Sequence, residues 1–128
     1  MVEAALVLPV FFLFVLGMIE FSRLGMVAQL ITSAANTGCR VAVINGHTQA
    51  DVTTTVQNLM SSGGIGTSSY TMATIPTDVT TSHHGDPVFD SVTVSISVPF
   101  RNVSWLSTSL FLGSVTVKSS ATLSSERP

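Results

Sequence analysis

Charge is scarce in this chain. Asp, Glu, Lys and Arg make up 9% of its 128 residues, against about 25% in a typical soluble domain. Lys and Arg number 5, scattered from Arg23 to Arg127, and the net charge is −2. No basic patch exists, so nucleic-acid binding has no electrostatic support, and neither does attraction to anionic headgroups. A single cysteine, Cys39, rules out an intrachain disulfide and a Cys-cluster zinc site. Beside Arg40 and among small helix residues, Cys39 reads as a packed thiol, not a nucleophile.

Catalytic motifs are missing as well. No Gly-x-Ser-x-Gly elbow is present, and Gly63-Gly-Ile-Gly66 lacks the lysine and following helix of a P-loop. His83-His84 with Asp86 lies in a Gly/Pro turn and reads as a solvated loop, not a metal site. His47 sits beside a helix cap and is expected in solvent. Asn102-Val-Ser104 matches a glycosylation sequon. No enzymatic chemistry, cofactor or metal is expected.

What the chain has in excess is apolar character, with a mean hydropathy of +0.53. The excess sits in the first third, while Ser and Thr dominate the remainder. Two regions with different solvents are implied. Residues 4–19 carry no charge and no strongly polar group. As a helix this run extends about 24 Å, slightly less than a hydrocarbon core of about 30 Å. Glu20 and Arg23 interrupt it at i,i+3, a spacing at which they can pair. Apolar residues then resume, so a membrane span is expected. No basic residue precedes the run, unlike a secretory signal peptide.

Beyond Ile19, Phe21, Leu24, Val27/Ala28, Ile31, Ala34/Ala35, Gly38 and Val41/Ala42 recur at helical spacing and predict an inward stripe. One nearly continuous helix over about 2–43 follows, closed by the turn residues Asn45-Gly46. Pro9, inside the apolar run, is either a tolerated kink or a weak point. Glu3 at the helix start is favoured by the macrodipole. It is either an interface marker or a partner for a neighbouring subunit's amino group, setting register.

The head begins with a capping box, Thr48 to Asp51, opening a short helix to about residue 61. Alternation then predicts antiparallel strands over about 69–76, 89–100 and 114–124, with Val92, Val94, Ile96, Val98 and Phe100 on one face. The fold class is α+β, with the long helix over 1–46 and the head over 47–128. The apolar link 102–113 is expected to fold over the sheet or to contact another subunit. Trp105 in it is placed in the core by preference, while Trp105 and Phe111 are also the candidate subunit contacts.

Glu3-Ala-Ala-Leu-Val-Leu-Pro9, a hydrophobic run and Gly17-Met-Ile-Glu-Phe21 resemble the TadE-like pseudopilins of tight-adherence pilus systems. Ala4 replaces the family's usual aromatic residue, and Glu3 stands third where prepilin-like chains place the glutamate fifth after cleavage. The resemblance implies a type IV pilin-like helix and head. It also implies a leader removed by a prepilin peptidase, residence in the inner membrane, and passage through a pilus assembly machinery to an extracellular filament. On this reading the chain is a homo-oligomeric pilus subunit. Leu6, Leu8, Pro9, Phe11, Phe12, Phe14, Leu16 and Ile19 would pack the filament core, and Glu3, Glu20 and Arg23 would serve assembly and register. The alternatives are a minor pseudopilin that primes assembly and a monomeric anchored binding module.

Overall fold

The structure, a computed structural model, describes residues 1–44, 46–75, 91–106 and 111–124. Helix α1 spans Val2–Val43 as one element, with Pro9 inside it. Helix α2 spans Gln49–Ser62. Strands β1 (Thr71–Ile75), β2 (Ser91–Pro99) and β3 (Thr116–Ser124) follow. They form one antiparallel sheet in the order β1-β2-β3. The α+β architecture is the one the sequence implies.

Strand β2 is central and carries the strictest alternation. Val92, Val94, Ile96 and Val98 are buried, and the residues between them are half-exposed. β-branched side chains suit this pleated, one-sided surface. On the outer face Thr93 lies opposite Thr122 in β3, and their hydroxyls stand 2.8 Å apart. Helix α1 crosses the inner face of β2 and β3 with α2 alongside it. The core closes between Val27, Ile31, Ala34 and Cys39 of α1, Val52, Val56 and Met60 of α2, and the β2 valines. Cys39 is a packed thiol there, its Sγ donating to the Val92 carbonyl at 3.1 Å.

Two sequence expectations need correction. Phe21 is 71% exposed, and the buried row of α1 begins instead with Glu20 and Arg23. At 3.6 residues per turn, Glu20 falls about 20° from Val27 around the helix, and Phe21 about 120° away. Burial follows that angle and overrides residue type. Trp105 is not in the core but 64% exposed. The turn cluster at 82–87, with His83, His84 and Asp86, and the first residues of the expected strand at 89–90 lie outside the described residues, as do Asn45, Pro76 and Leu110. Gly46 has φ +96°, the left-handed conformation a turn after α1 requires.

At Gly38 α1 packs tightly against α2. A methyl group there would stand 2.7 Å from Val56 Cγ2 and 3.6 Å from Val94 Cγ1, whereas one at Gly25 would meet nothing within 4 Å. Valine has little rotamer freedom with which to yield. Gly25→Ala is therefore expected to stabilise the chain by about 0.5–1 kcal/mol through helix propensity. Gly38→Ala is expected to lose more, by about 1–3 kcal/mol of overpacking, than it gains. Opposite shifts in the thermal unfolding midpoint, measured in detergent, check both.

The cap of α2 rests on a carboxylate, Asp51. The Thr48 backbone N–H donates to Asp51 Oδ2 at 2.7 Å and its hydroxyl does so at 3.0 Å, with His47 3.6 Å away. The Thr48 backbone N–H is the main cause that holds the Asp51 carboxyl below its usual range. A folded value below the unfolded one means that the stabilisation is present above the unfolded pKa of about 3.9. It is lost as pH falls through the lowered folded value. Amide exchange in the first turn of α2 should quicken below that point, and Asp51→Ala should abolish this pH dependence.

Candidate functional site

Residues 2–14 of α1 are exposed throughout. The helix's most apolar 18-residue window has a mean hydropathy of 2.5, and none of it is buried. Leu6, Leu8, Phe11, Phe12, Phe14 and Ile19 are between 39% and 74% exposed. Pro9 is exposed with them, and Leu16 is half-buried. Phe11 and Phe12 meet edge to face, with ring centroids 6.2 Å apart. Burying such a side chain gains about 1.5–3 kcal/mol. Covering these six is thus worth on the order of 10 kcal/mol, which equals the total stability of an ordinary domain. The head cannot supply that cover, because the buried row of α1 begins only at Glu20.

The junction between the two halves is built from charge. Glu20 is 1% and Arg23 6% exposed. Both are met by the link between β2 and β3. Arg23 Nε donates to the Val103 carbonyl at 3.0 Å, and its Nη1 lies 3.2 Å from Met26 Sδ. The guanidinium carbon stands 4.9 Å from the centroid of the Trp105 ring, within cation–π range. The Phe111 backbone N–H donates to Glu20 Oε2 at 3.0 Å. A methyl group at Gly17 would be 3.6 Å from Phe111 Cε2, so that ring lies along the helix one turn before Glu20. Glu20 and Arg23 stand at a spacing that allows them to pair, and both also meet the described part of the link, whose residues 103–106 and 111 form a collar against residues 17–23 of α1.

The link therefore closes on the helix, while its aromatic rings remain outward: Trp105 is 64% and Phe111 57% exposed. Sequence reasoning recognised that 102–113 is too apolar for a free loop but missed its target. The available signal was the wheel position of Glu20 and Arg23, two charged residues in line with the core row. Glu3, by contrast, is exposed at the far end of α1, about 26 Å of helix rise from Glu20. A shallow apolar groove of about 430 Å³ lies beside the collar, lined by Phe14, Gly17, Met18, Phe21 and Ser22. Among the described residues no group of three His, Cys, Asp or Glu side chains is placed to hold a metal.

Removing the Glu20 carboxylate leaves the Phe111 amide without this acceptor in a part-buried position, at a cost of about 1 kcal/mol. Glu20→Ala should accordingly open the collar and speed protease cleavage within 103–111. Glu20→Gln, which keeps an accepting oxygen, should show most of the native resistance. Equal cleavage rates for the two variants would contradict the assigned contact.

The model of the TadE-like protein family matches residues 1–40. No curated protein and no solved structure matches the chain. The match covers the uncovered apolar half of α1, the Glu20 and Arg23 turn and most of the stretch packed on the head, and it ends inside the helix. Through that helix the chain is similar to the TadE-like proteins, the family its opening residues resemble.

Proposed function

We propose that this chain is a structural subunit of an extracellular pilus, without enzymatic activity, that polymerises through its N-terminal helix. The observation that carries the reading is the apolar first part of α1, an 18-residue run of which no residue is buried by the head. Before assembly the inner membrane would cover it, since Val2–Val43 is long and apolar enough to cross a bilayer. In the fibre, sister helices would take the place of lipid. Processing by a prepilin peptidase and handling by a pilus assembly machinery belong to the same reading and rest on the TadE-like resemblance.

Leu6, Leu8, Phe11, Phe12, Phe14, Leu16 and Ile19 would pack the core of the helical array, with Pro9 allowing local adjustment. Exchange of lipid for apolar helices gains little hydrophobic free energy. Glu3 would therefore set register, by neutralising the amino group of a neighbouring copy. A buried pair of this kind demands close complementarity, which suits a register device.

The family match itself favours a second reading, a minor pseudopilin that primes assembly at the membrane. Electron microscopy of purified fibres, with subunit composition measured on the same sample, separates the two. Fibres made mainly of this chain support the first, and a trace component supports the second. A detergent-soluble monomer with no associated fibre would instead mark an anchored binding module. Glu3→Lys should abolish fibres while leaving membrane insertion intact. Normal fibre yield from that variant would overturn the register role.

A further inference from the structure

We propose that the collar is a bilayer-interface anchor, in which Trp105 and Phe111 seat in the headgroup and upper acyl region and fix the depth of α1. The proposal rests on the reading of the N-terminal half of α1 as membrane-inserted, and three observations point from there to lipid as the occupant.

Depth comes first. A hydrocarbon core of about 30 Å takes about 20 helical residues. With the Glu3 carboxylate held at one interface, the other falls at about residue 23. Arg23 is the residue under the Trp105 ring. Phe111, against Gly17 and Glu20, lies up to about 9 Å deeper along the helix. The second observation is the chemistry at each depth. Indole, with an apolar body and one N–H, prefers the interface, whereas a phenyl ring has no polar atom and tolerates the deeper level. Both rings are more than half exposed, although the Val103 carbonyl and the Phe111 amide beside them are bonded to side chains of the helix.

The third observation is the inner side of the collar. Glu20 and Arg23 fall in the last turn or two of the hydrocarbon layer, where a charge left uncovered is unfavourable. Here they are 1% and 6% exposed, and backbone groups of the link meet them. The collar thus presents polar backbone inward to the charges and aromatic rings outward.

Trp105 is the only tryptophan, so intrinsic fluorescence of the full chain reports on this site alone. The chain is reconstituted in phosphatidylcholine vesicles brominated near either the headgroup end or the methyl end of the acyl chain. The emission should be blue-shifted relative to the unfolded chain. It should fall by about half or more with the shallow bromines and much less with the deep ones. In a Trp105→Phe background, Phe111→Trp should move the quenching toward the deep bromines. If the chain co-floats with vesicles but Trp105 keeps a water-like emission unquenched by either lipid, the anchor is refuted and membrane insertion stands. A blue-shifted emission that neither lipid quenches means that a second copy covers the ring, and also refutes it. A chain that does not float with vesicles refutes the insertion reading itself.

Discussion

A helix of 42 residues is about 63 Å long, and a three-stranded sheet with one short helix can shelter only part of it. The remaining features of the molecule follow from that mismatch. The row of α1 that faces the head runs from Glu20 to Ala42 and uses small residues, Ala34, Ala35, Gly38 and Ala42. They bring the backbone of α1 close to α2 and the sheet, so a compact head can hold the helix firmly with few large side chains. Upstream of Glu20 no residue of α1 is buried, and large apolar side chains stand exposed along it. The two halves of one continuous helix are thus built for different solvents.

Where solvents meet, a protein has to resolve the boundary, and this one does so with paired polarity. Glu20 and Arg23 are among the few charges in the chain, yet both are buried. A buried charge is tolerable only when it is paired or hydrogen-bonded. The link supplies a carbonyl to the guanidinium and an amide to the carboxylate. Groups of opposite dipole on one segment therefore grip two helix turns. Because the link leaves β2 and returns into β3, its grip couples the sheet to the helix at the point where the head would otherwise end. The 3₁₀ turn Phe100–Asn102, with Phe100 buried, starts the link in the required direction.

The legibility of this fold in the sequence was uneven, for identifiable reasons. Helix α1 was readable because its apolar run and its stripe of small residues share one period, and α2 because Thr48 and Asp51 form a local cap. Strand β2 was readable because a central, one-sided strand alternates strictly. The collar was not, because its contacts join residues 80 and 91 positions apart, and neither periodicity nor propensity records such distances. Phe21 was misplaced for a related reason. Residue type favoured it for the inward face, whereas helical angle put Glu20 there, and angle prevailed once the link could satisfy the carboxylate. Trp105 was drawn toward the core by its size, but its ring spans the outside of a charge that is already covered.

The same unevenness bears on how the proposed fibre would be selected over the membrane. Lipid tails and sister helices are nearly equivalent solvents for Leu6, Phe11 or Phe14, so these side chains cannot decide between the two states, however much apolar area they bring. Between Val2 and Ile19 the only charged side chain is Glu3. At a bilayer interface that carboxylate stays hydrated and costs little, whereas inside an array of apolar helices it loses its water. It is the group in this half of α1 whose environment would change most on transfer. The direction of that change depends on what it meets: a cation placed by a neighbour makes the transfer favourable, and apolar side chains alone make it prohibitive. A helix this uniform in hydrophobicity leaves its choice of state to its single exception.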